Sequence, residues 1–377
     1  MSQDQGSPHA LADIQEMDIA WLTKATGKNV SDFDSEEIIG AGYASRMYRL
    51  LVHLAGEPEP LRLILKLATV HEAQQELIVE NQLFREVNFY RDYSGRLADS
   101  GILPTVYFAG TDPERMQITL LMEDMGDIPV KPFRENLENS LAAMSVLAQV
   151  HAAYWNTPEL EDHALAPVDT QLSVADLEGL LAENLEVEAA AGYSFPYLRK
   201  SMLHLLKLVK WVISDADHFT GPVTLVHGDF HARNIHFDGD RPILFDWQVT
   251  ERGRPARDVV YWILSSVDVD DAQAFAPLLI ERYLSALGSH GVNYPKKEFD
   301  KDFREVCNQL IPRFFCFQTL VQFSEEDSHT TEDFLNRTNR LAIEVGLLNQ
   351  LRVARVIVPP LMIVLRLLGL RKKPVAG

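Results

Sequence analysis

The segment that most constrains the fold is a polar loop between two short apolar runs late in the chain. It reads Leu225-Val-His-Gly-Asp-Phe-His-Ala-Arg-Asn-Ile-His-Phe237 and is followed by Ile243-Leu-Phe-Asp-Trp-Gln248. Val223–Val226 and Pro242–Phe245 have the apolar character of short strands, so His227 and Asp246 each follow the end of a strand. We expect such strands to bring the polar residues that follow them close together.

The first third of the chain has the pattern of strands with one inserted helix. Its five β-like runs are Glu37–Gly40, Met47–His53, Leu61–Leu67, Thr105–Ala109 and Gln117–Met122. A turn at Thr111–Glu114 separates the last two runs, and apolar spacing predicts a long helix at Glu72–Tyr93. A leading helix is predicted at Leu11–Gly27, because Gly27 is a typical helix stop.

The character of the chain changes after Glu123-Asp-Met-Gly126. Apart from the two short strands, helical patterns continue over Glu135–Trp155, Leu172–Asp217 and the residues from Arg257 onward. Strands at one end and helices at the other are typical of an α+β fold. We therefore expect a bilobal protein with a small β-rich N-lobe at residues 1–125 and a large, mainly helical C-lobe at residues 126–377.

Composition narrows the class of protein. Of 377 residues, 46% are hydrophobic and 24% are charged, which excludes a disordered or low-complexity chain. Asp and Glu number 54 against 35 Lys and Arg, so the net charge is −19 and we expect no nucleic-acid partner. Cys307 and Cys316 are too few for a disulfide framework or a zinc site, which favours a reducing cytoplasm. We expect neither a signal peptide nor a membrane span.

The polar loop carries the residue types that phosphoryl transfer requires. Transfer from ATP to a hydroxyl needs a carboxylate to accept the proton and two oxygen ligands for Mg²⁺. Asp229 and Asn234 stand five residues apart, which is the spacing of Asp and Asn in a kinase catalytic loop. Asp246, at the end of an apolar strand, fits the second metal ligand, because Mg²⁺ prefers few protein oxygens together with phosphates and water.

A metallohydrolase is an alternative interpretation of the same loop. In two-metal phosphoesterases a Gly-Asp-x-His sequence supplies metal ligands, which here would be His227, Asp229 and His231. That chemistry also requires an upstream Asp-x-His and further histidine motifs, and the sequence lacks them. A two-metal phosphoesterase is therefore the less favoured interpretation.

A glycine-containing loop and a lysine in the β-rich part predict phosphate contacts. Gly40, Gly42 and Ser45 lie in the link between two strands, where backbone N–H groups can form an anion nest, although an ordinary hairpin turn is the alternative. Lys66 is the one charge in the apolar run 63–68, which favours a phosphate contact over a lysine on an edge strand that reaches solvent.

The acid that pairs with Lys66 is predicted to lie on the helix at Glu72–Tyr93. Glu76, Glu80 and Glu86 are the candidates. Glu86 is favoured because the bulky residues that follow it mark the packed side of the helix. Farther along, Glu123 and Met125 are candidates for reading an adenine edge through their main chains, or they belong to a simple linker.

Taken in order, these residues resemble a known superfamily. The motifs are Gly40-x-Gly42, Lys66, Glu86-x-x-Phe-Tyr90, Leu121-Met-Glu-Asp-Met125, Ala148-x-x-His151, His227-Gly-Asp-x-His-x-x-Asn234 and Asp246-Trp-Gln. They are similar to those of the aminoglycoside phosphotransferase and choline kinase-like superfamily, and most similar to its ecdysteroid kinase-like branch. The resemblance covers roughly residues 11–345.

The resemblance implies a protein-kinase-like fold that acts on hydroxyls of small molecules with ATP and Mg²⁺. Asp229 would be the catalytic base, Asn234 and Asp246 the metal ligands, and Lys66 the phosphate contact. His227 and His231 would brace the loop. Asp258 would hold loop backbone or cap a helix. The sequence has Asp246-Trp-Gln in place of Asp-Phe-Gly and lacks Ala-Pro-Glu, which disfavours a protein substrate.

The acceptor and further partners stay open at the level of sequence. Residues 155–215 and 310–345 are expected to bind the acceptor, with acidic walls suited to an amino sugar or choline, or aromatic residues suited to a steroid-like alcohol. The basic amphipathic tail at 351–373 suits a membrane surface or a partner, but packing on its own domain is the alternative. A nucleotide-binding pseudokinase is the alternative function, and the oligomeric state is undetermined.

Overall fold

The computed structural model describes most of the chain, which forms two compact units. The described residues are 8–38, 45–69, 84–126, 134–166, 221–239, 241–268 and 270–317. The first unit comprises Met1–Val168, Pro222–Val259 and Leu278–Asn293, and the second comprises Asp169–Gly221, Val260–Pro277 and Tyr294–Gly377. An N-terminal sheet followed by helices confirms the predicted α+β fold. The predicted lobe boundary at residue 125 stays a prediction.

Within the described residues, five strands form an antiparallel sheet in the first unit. They are β1 (Val30–Glu37), β2 (Arg46–Leu54), β3 (Leu61–Thr69), β4 (Val106–Asp112) and β5 (Gln117–Glu123), arranged in the order β1-β2-β3-β5-β4. Lys66 lies on the central strand β3, opposite Met47 of β2 and Leu120 of β5. The alternative of an edge-strand lysine is therefore wrong.

The two faces of β3 have different neighbours because successive side chains of a strand point to opposite faces. Leu63, Leu65 and Leu67 are buried in a core that includes Trp21 and Leu22 of helix α1 (Ile19–Thr26). Each such side chain contributes about 1.5–3 kcal/mol through its burial.

Lys66 has the opposite parity and therefore lies on the other face of the sheet. Leu120 of β5 is paired with Lys66, so Ile118, two residues away, shares that face, where it packs on Phe84 and Val87. This places a helix beside Lys66 and positions the acids of that helix to reach its ammonium group.

Two predicted elements at the N-terminal end need correction. The leading helix is not continuous over Leu11–Gly27, because Asp13 and Asp18 each start a separate turn by accepting a backbone N–H group. The turns are a 3₁₀ helix at Ile14–Glu16 and α1 itself, which ends at the left-handed Gly27. The first strand begins at Val30 rather than Glu37, because the edge of a sheet tolerates the polar sequence that hid it; residues 39 and 40 of the predicted strand lie outside the described residues.

Later predicted elements occur with small shifts. The described part of the long predicted helix is α2 (Arg85–Asn88), which continues as a π-helical turn at Phe89–Tyr93. Strand β4 continues to Asp112, so the turn predicted at Thr111–Glu114 begins two residues later. Helix α3 (Leu137–Ala153) begins after Asn136, whose side chain accepts the N–H of Asn139.

The polar loop lies between short strands. Strand β6 (Thr224–Val226) precedes the loop, and the hairpin of β7 (Ile235–Asp238) and β8 (Arg241–Leu244) follows it. Strand β9 (Glu251–Gly253) pairs with β6. The remaining helices are α4 (Ala256–Ser266), α5 (Ala272–Ser289) and α6 (Lys296–Phe317). Because β6 ends at Val226 and β8 ends at Leu244, the loop and Asp246 follow strand ends, as predicted.

Several predictions fall outside the described residues. They concern Gly40, Gly42, Glu76, Glu80, the helices predicted within Leu172–Asp217 and the tail at 351–373. Among the described helices, none is long and apolar enough to cross a membrane. Cys307 is a buried free thiol, and burial raises its pKa above the ordinary value.

Candidate active site

The polar loop holds Asp229 and Asn234 together through side-chain hydrogen bonds. Asn234 Nδ2 donates to the Asp229 carbonyl at 2.9 Å and to Asp229 Oδ2 at 3.0 Å. His231 Nδ1 accepts the N–H of Arg233 at 3.2 Å, so its Nε2 carries the proton and points at Asp229 Oδ2, 3.3 Å away. The Asp229 side chain is 23% exposed, so it is fixed in place but still accessible.

At Gly228, the polar loop lies very close to the turn that follows Asp246. Gly228 has a φ of +84°, which is a left-handed conformation. A Cβ atom at this position would lie 2.3 Å from the carbonyl oxygen of Val249. The position therefore requires glycine both for its backbone angle and for the absence of a side chain.

Asp258, in the first turn of α4, anchors the beginning of the loop. Its Oδ2 accepts the N–H of His227 at 2.7 Å, and its Oδ1 accepts the N–H of Gly228 at 3.0 Å. His151 Nε2 lies 3.2 Å from Oδ2, and His151 Nδ1 accepts from the hydroxyl of Tyr283 at 2.7 Å. Burial alone would raise the pKa of Asp258, but the hydrogen bond from His151 and nearby positive charges lower it. Asp258 therefore holds loop backbone as an ionised, fully buried carboxylate.

Replacing Asp258 with asparagine should destabilise the protein by about 2–3 kcal/mol, because an amide presents one acceptor where three donors converge. We expect this loss in the free energy of unfolding measured by urea denaturation. Asp300→Asn is the control, since Asp300 makes an exposed pair with Lys296 and should cost less than about 0.5 kcal/mol. Equal losses in the two variants would contradict the anchoring role.

Backbone contacts join the loop to Asp246. The N–H of Phe245 donates to the carbonyl of Asn234 at 3.2 Å, so the residue before Asp246 is bound to the loop. Asp246 has a φ of +65°, a left-handed conformation that aspartate tolerates better than most residues. Left-handed non-glycine residues are often found at functional sites.

Lys66 connects the sheet to both acids of the site. Its Nζ lies 2.6 Å from Glu86 Oε2 and 3.2 Å from Asp246 Oδ1. Burial would lower the pKa of Lys66, but Glu86 and Asp246 raise it above its ordinary value, so Lys66 stays charged. Burial raises the pKa of Glu86, against the opposing effect of Lys66. Among the described helix acids, Glu86 is the one that pairs with Lys66.

Aromatic rings pack directly beneath this arrangement. His227 is fully buried, and its Nε2 donates to the carbonyl of Phe245 at 3.0 Å. Burial lowers the pKa of His227, so the ring stays neutral at physiological pH. Trp247 stacks on Phe89 with a centroid distance of 3.8 Å and lies 4.6 Å from the His227 ring. The packing links the polar loop, Asp246 and the helix that carries Glu86.

At the end of β5 and just after it, most backbone N–H groups already donate a hydrogen bond. The N–H of Glu123 donates to the carbonyl of Thr105 at 2.8 Å, and the N–H of Asp124 donates to that of Arg62 at 3.0 Å. Asp124 also binds Arg49 and Arg62 through its buried carboxylate. A base that lies against this segment would therefore have to use the carbonyl of Glu123 and the N–H of Met125.

Comparison with known proteins identifies the family. The model of the ecdysteroid kinase-like family matches residues 39–291, a range that includes Lys66, Asp229, Asn234 and Asp246. The chain belongs to the ecdysteroid kinase-like family. A search of curated proteins found no match.

Solved structures show the same fold. The amicoumacin kinase hAmiN, in complex with AMP-PNP, Ca²⁺ and Ami, is 14% identical with a TM-score of 0.52 and covers 84% of this chain and 91% of its own. Choline kinase from Cryptosporidium parvum is 11% identical with a TM-score of 0.52 and covers the same shares. At these identities the likeness shows the fold of this ecdysteroid kinase-like protein.

The donor set fits a nucleotide-bound magnesium ion. Asn234 makes its hydrogen bonds through Nδ2, which leaves its amide oxygen as the ligand atom, and Asp246 supplies a partly exposed carboxylate. Two hard oxygens together with phosphate and water suit Mg²⁺. The charged Lys66 lies beside Asp246, and such a cation suits phosphate oxygens.

Sequence reasoning missed two residues of this region. Tyr283 of α5 donates a hydrogen bond to His151, and Arg85 of α2 donates to the backbone carbonyls of Thr250 and Ala166. Neither residue belongs to a recognisable motif. Arg85 carries no sequence signal, because an arginine in an amphipathic helix normally lies on the solvated side. Only the tertiary contacts identify these residues.

Proposed function

We propose that this ecdysteroid kinase-like protein is an ATP- and Mg²⁺-dependent phosphotransferase that phosphorylates a hydroxyl of a small-molecule acceptor. The observation that carries the proposal is the connected set of Asp229, Asn234, Asp246 and Lys66. Hydrogen bonds join Asp229 to Asn234, backbone joins Asn234 to Phe245, and Lys66 reaches Asp246. This is the set that phosphoryl transfer to an alcohol requires.

Asp229 serves as the base in this proposal. A carboxylate within reach of the acceptor hydroxyl orients it and accepts its proton as the new O–P bond forms. Two donors, Asn234 Nδ2 and His231 Nε2, fix the position of the Asp229 carboxylate through Oδ2. The same hydrogen bond leaves Asn234 Oδ1 directed to its role as ligand.

Asn234 and Asp246 would hold the metal, and Lys66 would contact the phosphates. When bound, ATP supplies the phosphoryl group and Mg²⁺ neutralises charge on the phosphate oxygens. Glu86 keeps Lys66 in place and shares it with Asp246. The loop with Gly40, Gly42 and Ser45 is proposed to contact phosphates, and Glu123 and Met125 to bind the base through their main chains.

The geometry argues against the phosphoesterase alternative. The two histidines that a phosphoesterase would use as metal ligands make other contacts here. His227 donates to the carbonyl of Phe245, and His231 accepts the N–H of Arg233. Within the described ranges, no group of three or more His, Cys, Asp or Glu side chains is placed to hold a metal ion. A pseudokinase is disfavoured because each catalytic residue type is present.

The acceptor is proposed to be an alcohol that carries an amino-sugar, choline-like or steroid-like body. The named relatives act on amicoumacin and choline, which favours a small molecule over a protein substrate. We further propose that the protein acts in the cytoplasm, consistent with the free thiol of Cys307.

Acceptor profiling by mass spectrometry tests the proposed function. The full chain is incubated with ATP, Mg²⁺ and a library of amino sugars, choline-like compounds and sterols, and products that gain one phosphoryl group are sought. The proposal predicts a phosphorylated product that is lost in the presence of a chelator. Tight ATP binding with no product from any acceptor would favour the pseudokinase, and hydrolysis of phosphoesters would favour the phosphoesterase.

A further inference from the structure

Arg85 is a buried cation that the proposed reaction does not use. It precedes Glu86 on α2, is 3% exposed, and donates through Nη1 to the carbonyl of Thr250 and through Nη2 to that of Ala166, both at 2.5 Å. Glu251 Oε2 lies 4.0 Å from Nη1 and also faces Arg257. Burial lowers the pKa of Arg85 to about 10. The helix therefore keeps a desolvated charge at a position where an apolar residue would have a smaller desolvation cost.

A buried guanidinium is costly unless its donors are used, and its planar fork suits two fixed acceptors. The acceptors here belong to other segments of the chain, so the hydrogen bonds set the distance between α2 and those segments. Both acceptors are backbone carbonyls, so the two hydrogen bonds tie the Arg85 side chain to the backbone of Thr250 and Ala166.

The turn that Arg85 contacts is rigidly connected to Asp246. The N–H of Thr250 donates to the carbonyl of Trp247 at 3.1 Å, and its hydroxyl donates to the carbonyl of Val226 at 2.8 Å. The turn is therefore closed on itself and tied to β6, next to the catalytic loop. A shift of the Thr250 carbonyl would accordingly move Asp246 as well.

Two nearby residues of the helix contact this same turn. Besides Arg85, Phe89 stacks on the Trp247 ring at an interplanar angle of 9°. Phe89 opens the π-helical turn, where the extra residue rotates the side chains that follow. The helix and the turn are thus joined by the hydrogen bond of the Arg85 guanidinium and by a ring stack.

We propose that Arg85 is a positioning residue that locks α2 to the turn after Asp246 and so keeps Glu86 in competition with Asp246 for Lys66. The inference rests on the proposed function. With the lock in place, Lys66 is shared between the two acids, which leaves Asp246 free enough to bind a metal. Without it, Glu86 withdraws, Lys66 pairs with Asp246 alone, and the metal has to displace the lysine.

The first test measures the Mg²⁺ concentration for half-maximal turnover at saturating ATP. Arg85→Met should raise this concentration roughly 10-fold to 100-fold, which is typical of a lost partner behind a metal ligand, and Arg85→Lys should restore part of it. In a Glu86→Gln background Arg85→Met should add little, because it acts through Glu86. Leu147→Ala, a buried change in α3, is the control that lowers stability and leaves the Mg²⁺ requirement unchanged. An additive effect in the double variant would overturn the proposal.

A second test does not depend on activity. Hydrogen exchange of the full chain compares peptides that cover 84–93 and 246–253 in wild type and Arg85→Met. The proposal predicts faster exchange in both segments, and faster exchange in the helix alone would overturn it. If both segments respond while wild type shows no turnover with any acceptor, the lock stands and the proposed function fails.

Discussion

Asp229→Asn should lower turnover about 10³-fold while ATP affinity stays within about twofold of wild type, because a general base contributes 10²–10⁴ to such reactions. Asparagine keeps an oxygen that can accept the hydrogen bond from Asn234 Nδ2, so the loop should retain its shape. What is lost is the carboxylate that accepts the proton of the acceptor hydroxyl. The measurement is kcat with the acceptor found by profiling, together with ATP binding by calorimetry in the presence of Mg²⁺.

The control for Asp229→Asn is Asp238→Asn, the same change at the end of β7. Asp238 is 68% exposed and 3.8 Å from Arg241, so its replacement should leave both kcat and affinity unchanged. Wild-type turnover in Asp229→Asn would contradict the role of base. Loss of ATP binding along with turnover would assign Asp229 to nucleotide binding instead.

Gly228→Ala should lower the free energy of unfolding by about 4 kcal/mol or more, which is in the range that only severe backbone or packing conflicts reach. The new Cβ would lie 2.3 Å from the carbonyl oxygen of Val249, and that carbonyl belongs to the closed turn after Asp246. Since the obstacle is backbone, no side-chain rotation relieves it. Urea denaturation of the purified variant, or its failure to accumulate as soluble protein, measures the effect.

Gly56→Ala separates the collision from the backbone angle. Gly56 has a φ of +87°, close to that of Gly228, but nothing lies within 4 Å of the position of its Cβ. Its replacement should therefore cost only the left-handed strain of about 1–2 kcal/mol. If the two variants lose the same stability, contact with Val249 contributes nothing and the loop is not held against the turn.

The sequence predicted the strands around the site because their signals are local. The apolar run that contains Lys66 and the two short strands beside the polar loop carry their own periodicity, so β3, β6 and β8 lie where expected. The edge strand β1 was missed because its residues are mostly polar; among the described strands it pairs with β2, and a strand at the edge of a sheet does not require an apolar face. The break in the leading helix did have a sequence signal, because Asp13 and Asp18 are typical N-cap residues. The helical spacing of the apolar residues nevertheless predicted one continuous helix.

The contacts between elements could not be predicted in the same way. Motif spacing identified Asp229, Asn234, Asp246 and Lys66 as candidates, and it left the choice of helix acid open because Glu80 and Glu86 differ only in tertiary position. The stack of Phe89 on Trp247 joins residues far apart in sequence, and a tryptophan after an apolar strand signals burial without naming its partner. Arg85 is the extreme case, since its burial contradicts the usual behaviour of its residue type.

The central claim is that one metal ion lies between Asn234 and Asp246 beside Lys66, with Asp229 facing the acceptor. A crystal structure of the full chain with a non-hydrolysable ATP analogue and Mn²⁺, whose anomalous signal locates the metal, tests it most directly. We expect Mn²⁺ within about 2.3 Å of Asn234 Oδ1 and of an Asp246 carboxylate oxygen, with the nucleotide phosphates completing the coordination. Mn²⁺ bound instead by His227, Asp229 and His231, or a nucleotide bound away from Lys66, would contradict it.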